Sequence, residues 1–153
     1  MNTKFTYLKL AIAVLLTLLV SVPALAATDQ AKVTKITGQA DYKKAGGADF
    51  STLKIGDILN EGDAVKTGAG SEVTMELVGK AKTAEIVVRE SSKFVFKTFQ
   101  HDADATDTTL LDVSLGAVLV KAEKLAGDSK FEVKTPTSIV GIRGTTFEVK
   151  VAK

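Results

Sequence analysis

The stretch Val73-Thr74-Met75-Glu76-Leu77 alternates apolar and polar side chains without a break. Successive side chains of an extended chain point to opposite faces, so this segment predicts a strand with one buried and one solvated face. Near the C-terminus Phe147, Val149 and Val151 alternate in the same way with Glu148 and Lys150. Shorter segments of strand character are Lys32–Ile36, Gln39–Lys43, Ala64–Lys66, Ala84–Val88, Lys93–Phe99, Thr109–Val113, Ala117–Lys121, Lys130–Lys134 and Ser138–Ile142. Turn signals separate them at Gly46-Gly47, Gly56-Asp57, Gly62-Asp63, Gly68-Ala69-Gly70, Gly79, Ser91-Ser92, Gly116, Gly127-Asp128 and Gly141. Short strands with turns every 8–12 residues predict one all-β domain of about ten strands. The nearest approach to helical spacing is Val120–Ala126, where Lys121, Glu123 and Lys124 suit a short helix or a polar turn.

Upstream of the strands, Met1 to Ala26 has no acidic residue, two lysines (Lys4, Lys9) and an apolar run from Leu10 to Val22. As a helix that run covers roughly 20 Å, short of the roughly 30 Å of a bilayer core. Pro23 and the small-x-small triplet Ala24-Leu25-Ala26 follow. A basic start, a short apolar centre and an A-x-A end predict a secretory signal peptide, residues 1–26, cut after Ala26. The expected product is a domain of residues 27–153, periplasmic or secreted, with no membrane span once the leader is gone.

Composition removes whole classes of chemistry. The chain has no Cys, which excludes a disulfide framework, a Cys-ligated zinc and a Cys nucleophile. Its one imidazole is His101. The 20 Lys+Arg lose Lys4 and Lys9 with the leader, leaving 18 against 18 acidic residues. A neutral domain with dispersed charges offers no stripe for a phosphate backbone, so nucleic acid is not an expected partner.

The two Gly-Asp pairs, Gly56-Asp57 and Gly62-Asp63, stand six residues apart. They predict successive tight bends, Gly supplying positive φ and Asp capping backbone amides. The segment from His101 to Asp107 gathers oxygens, but a calcium loop counted from Asp102 would need Gly and Glu where Asp107 and Val113 stand. It is therefore read as a solvated loop, and no metal site is expected. Phe94, Phe96, Phe99, Phe131 and Phe147 at strand spacing are read as core. No Ser-His-acid order, no distinct carboxylate pair and no phosphate-cradling Gly-rich loop is present, so neither an enzyme nor a cofactor is expected. Thr135-Pro136 predicts an extended step. Gly141 and Gly144 bracket Arg143, which with Arg89 makes up the two arginines of the chain. Its planar fork either ties backbone turns together or, with Gly144 and Thr145, meets a partner or an anion.

Several of these segments, in this order, resemble the FecR domain. They begin with Val33-x-x-Ile36-x-Gly38-x-Ala40 and continue as Phe50-x-x-Leu53-x-x-Gly56-Asp57-x-Leu59-x-x-Gly62-Asp63-x-Val65-x-Thr67-Gly68. Gly70-Ser71-Glu72-Val73-x-Met75-x-Leu77 and Val113-x-Leu115-Gly116-Ala117-Val118 follow. The most specific is Phe131-x-Val133-x-Thr135-Pro136-x-Ser138-Ile139-x-Gly141-Ile142-Arg143-Gly144-Thr145-x-Phe147-x-Val149. Phe50 stands where the family usually has Trp, and Gly79-Lys80-Ala81-Lys82 replaces the usual Asp-Gly-Ser turn. The resemblance implies a compact all-β periplasmic module, coiled like a short solenoid or closed as a sandwich. Anti-sigma members of the family carry a cytoplasmic helical segment and a membrane span before this domain. A cleavable leader in their place implies a stand-alone exported module that docks on an envelope protein. The alternative is an envelope structural or glycan-binding protein, although no Trp and, after the leader, one Tyr (Tyr42) supply little platform for sugar stacking.

Overall fold

The computed structural model describes residues 30–78, 82–101, 107–122, 129–142 and 146–152. Among them are twelve strands and no helix: β1 (Gln30–Thr37), β2 (Ala40–Lys43), β3 (Ser51–Thr52), β4 (Ile58–Leu59), β5 (Ala64–Thr67), β6 (Glu72–Val78), β7 (Lys82–Val88), β8 (Lys93–His101), β9 (Asp107–Ala122), β10 (Lys130–Lys134), β11 (Ile139–Ile142) and β12 (Thr146–Val151). The chain is all-β. In β6 the alternation becomes burial, with Val73, Met75 and Leu77 inward and Glu72, Thr74 and Glu76 half-exposed.

The strands form one curled sheet with two wings that meet at β9. The first wing runs β4-β1-β6-β7 to the second half of β9 and ends in β12. The other runs β3-β2-β5-β8 to the first half of β9, then β10 and β11. Every pairing is antiparallel except β9 with β10. Both wings contribute to a single core, Val33, Met75, Ile86 and Val120 from one and Val65, Phe94, Phe96 and Phe131 from the other. A bulge between Phe96 and Thr98 shifts the register of β8, so that Phe99 turns to the same side as Phe94 and Phe96. Phe94 and Phe96 meet edge to face at a centroid distance of 4.9 Å, and Phe96 and Phe99 pack tilted at 4.7 Å. Phe131 is also buried, and Phe147 packs half-buried against the cluster.

The segments Thr109–Val113 and Ala117–Lys121 are parts of one continuous strand, with Gly116 inside it. Gly116 has φ +85°, and a side chain there would collide with Ser92. The Ser92 hydroxyl accepts the Ala117 N–H (2.9 Å) and reaches the Glu90 carbonyl (3.0 Å). What looks locally like a turn is therefore a twist that carries β9 from one wing into the other.

On one side the curl closes on itself. Leu53 to Asp57 cross from β3 to β4, tied by Leu53 N–H to Ala40 O (2.9 Å), Gly56 N–H to Val33 O (2.8 Å) and Val33 N–H to Asp57 O (2.9 Å). The Gly62-Asp63 turn repeats this against the other wing, with Gly62 N–H to Phe96 O (2.7 Å) and Phe96 N–H to Asp63 O (3.0 Å). Leu53, Leu59 and Val65, each six residues on, are all buried. One six-residue step thus recurs, its turns fastened alternately to the two wings.

Candidate binding surfaces

Gly56 and Gly62 have φ of +92° and +85°, each third in a four-residue turn. In the first turn Asp57 N–H donates to Lys54 O (3.1 Å), and the Asp57 carboxylate accepts Lys54 N–H (2.8 Å). In the second Asp63 N–H donates to Asn60 O (3.1 Å), and its carboxylate accepts Asn60 N–H (3.0 Å). Asp63, 2% exposed, further accepts Ala45 N–H (2.9 Å) and pairs with the Lys44 ammonium (3.0 Å). These bonds occupy both carboxylate oxygens with protein donors and leave the turns as a clasp.

The hairpin joining β10 to β11 is built by Thr135. Its Oγ1 accepts Ser138 N–H (3.0 Å) and its N–H donates to Ser138 O (2.8 Å). Pro136 takes the second position of this turn, exposed, where its fixed φ fits. Beyond it β11 pairs with β10 along one side, from Lys134↔Ile139 to Phe131↔Ile142. Ile139 is 62% exposed and Val140 37%. Gly141 is also exposed, with nothing within 4 Å of where its Cβ would stand. Arg143, Gly144 and Thr145 join β11 to β12 and lie outside the described residues. The strands on either side of them end the two wings, each paired along one side among the described residues, and together form the rim of the sheet.

Ile55 and Ile58 are the other exposed large apolar side chains among the described residues. They sit at the clasp, where β4 is two residues long. Only β11 among these joins exposed apolar side chains to a strand edge of four residues. Its signal in the sequence is Ile139-Val140, an apolar pair where an exposed strand would alternate.

An open cleft of about 840 Å³ lies on the first wing near Gly116. Glu72, Arg89, Glu148 and Lys150 line it. They alternate along their strands with the buried Val73, Val88 and Val149, so the cleft faces solvent rather than the core. The Arg89 guanidinium donates to Glu72 (2.5 Å) and Glu148 (3.4 Å), stitching β7 to β6 and β12. The hydrogen bond that Arg89 donates to Glu72 holds the guanidinium above its ordinary pKa, against partial desolvation. Glu148 is held below the usual carboxylate range, first by its hydrogen bond with Lys150 and then by Arg89. Arg89 is thus occupied by two carboxylates and is a stitch rather than an open anion receptor.

Among the described residues no three His, Asp or Glu side chains come together as a metal site. His101 closes β8 and Asp107 opens β9, the two paired in register, while residues 102–106 lie outside the described residues. Among the described residues there is no helix long and apolar enough to cross a membrane. The described residues thus form a curled all-β body with one side fastened by backbone bonds and the other ending in β11 and β12. The family model described as FecR protein matches residues 63–153, and the chain belongs to that family. The match opens at Asp63 of the second clasp turn and takes in the whole rim. Neither the comparison with curated proteins nor that with solved structures gave a match.

Proposed function

We propose that the chain is an exported, non-catalytic module that binds another protein of the bacterial cell envelope in a regulatory or signalling setting. FecR membership supports the regulatory, envelope-related class. The single observation that carries the docking mode is β11, a strand paired along one side with Ile139 and Val140 exposed. Soluble domains blunt such edges with charge, proline or cover, and β11 has neither charge nor proline between Ile139 and Ile142. An extended segment of a partner adds to such an edge through backbone hydrogen bonds, with side-chain pockets giving selectivity. Arg143, Gly144 and Thr145, joining the two edge strands, are the residues we assign to the partner contact. Residues 1–26 are read as the leader that delivers residues 27–153 to the periplasm or beyond.

The test is capture from envelope extract on the immobilised protein, followed by direct binding of the captured species. Arg143→Ala or Gly141→Val should weaken a genuine complex about tenfold or more, the scale of a well-placed interface residue. Equal affinity for both variants and the parent overturns the assignment of the rim.

A further inference from the structure

We propose that β11 pairs antiparallel with β11 of a second copy of this chain, about a two-fold axis through Val140. This rests on reading β11 as a docking edge and assigns that edge to a second copy when no other envelope protein holds it.

The backbone fixes the register. Thr135 N–H donates to Ser138 O, and these two residues flank the Lys134–Ile139 pair. In an antiparallel ladder a bond of that kind marks the enclosed pair as non-hydrogen-bonded. Val140 and Ile142 therefore bond to β10, while Ile139 and Gly141 turn their N–H and C=O groups to the free edge. A two-fold axis through Val140 sets Ile139 opposite Gly141 of the second copy, and Gly141 opposite its Ile139. Each pair exchanges two backbone hydrogen bonds. The spacing of the free groups is thus complementary to itself.

The side chains agree with that register. Ile139 is exposed on the outer face, and the space over Gly141 on the same face is open. Under the two-fold each Ile139 covers the Gly141 of the other copy. Val140 meets Val140 across a non-hydrogen-bonded pair, with Cα atoms about 4.5 Å apart. Charge follows the same symmetry, because Lys134 pairs with Ile139 and Glu132 with Gly141. The outer row across the seam then reads Lys134, Ile139, Gly141 and Glu132, placing a lysine on one flank and a glutamate on the other. Lysine and glutamate stand three strand spacings, roughly 14 Å, apart in that row, so their attraction is a weak bias and the backbone spacing sets the register.

Four residues a side make a small interface, so self-association on the order of 100 µM is expected. Protein produced from the full 153-residue sequence is examined by sedimentation equilibrium up to about 1 mM, a range that brackets that affinity. The parent should show a concentration-dependent dimer, and Gly141→Val, which fills the space Ile139 needs, should raise the dissociation constant about tenfold or more. The native chain has no cysteine, so single-cysteine variants report register without background. Val140→Cys should form a disulfide dimer under mild oxidation at least about fivefold faster than Ile139→Cys, whose partner cysteine lies beyond roughly 7 Å. A monomer at every concentration, or equal cross-linking at the two positions, overturns the proposal. If the parent stays monomeric while Gly141→Val still weakens capture of an envelope protein, self-pairing fails and the docking edge stands. If Gly141→Val changes neither, both fail.

Discussion

Between β3 and β4 the chain crosses from one wing to the other in five residues that are hydrogen-bonded to the strands beside them. Three residues separate β11 from β12, and among the described residues those strands are paired along one side each. Every curled sheet that is not a full barrel must finish two sides, and here they are finished by different means. The first uses strands of two residues, too short to template another chain, and turns whose carboxylates and amides are consumed internally. The second, among the described residues, leaves longer strands paired along one side only, with apolar side chains exposed on β11. An unprotected edge is an aggregation hazard unless something pairs with it. The contrast therefore separates residues that hold the fold from residues available to a partner.

That separation is open to direct attack, and the clasp should yield the largest effects. Asp63→Ala removes the buried acceptor of two backbone N–H groups and of Lys44, and should cost about 2–4 kcal/mol in urea unfolding at pH 7. Asp57→Ala loses one exposed bond and should cost about 0.5–1.5 kcal/mol. The glycines sharpen the same difference. Both adopt positive φ, so alanine costs about 1–2 kcal/mol at either. At Gly62 the new methyl would also stand 2.7 Å from the Ala45 Cβ, whereas Gly56 has open space. Gly62→Ala should therefore unfold at clearly lower urea than Gly56→Ala. If the two coincide, the clasp is less rigid than its hydrogen bonds indicate.

On the open side the expectation reverses. Ile139→Thr and Gly141→Val alter exposed positions and should leave unfolding within about 0.5 kcal/mol of the parent, while changing binding as set out above. A large loss of stability from either would mean that the rim belongs to the core, and the comparison would collapse.

The two sides also differ in how far they can be read from sequence. Alternation at Val73–Leu77 establishes the class of fold because burial period is a local property of a strand. Hydrogen bonds between residues three apart, as in the Asp57 and Asp63 turns, are of the same local kind. The fastening of those turns to Val33 and Phe96 is not, nor are strands as short as β3 and β4. Gly116 carries the local signature of a turn, yet the chain runs on. What decides the outcome is Ser92, 24 positions earlier, whose hydroxyl receives the Ala117 N–H. Ile139-Val140 shows a strand, but exposure depends on how many neighbours the strand acquires, a matter of topology. Arg89 is conspicuous in a lysine-rich chain, while its partners Glu72 and Glu148 lie 17 and 59 residues away.

The smallest effect concerns the means by which β12 is attached. The clasp is fastened to β1 and β8 mostly by backbone bonds, which do not titrate, whereas β12 is joined to β7 partly through Arg89 and Glu148. Glu148 is held below its ordinary value of 4.5 by Lys150 first and Arg89 second. A carboxylate depressed in the folded state stabilises that state above its unfolded pKa and ceases to do so as pH falls through the folded one. Parent and Glu148→Gln should therefore differ slightly in urea midpoint at pH 7, with the parent more stable. The gap should narrow as pH falls below 4.5 and vanish once Glu148 is protonated in both states. Added salt should narrow it as well, because the pair is exposed. A gap that persisted unchanged at low pH would mean that Glu148 acts through packing rather than charge, and the two sides of the sheet would then be held by the same kind of force.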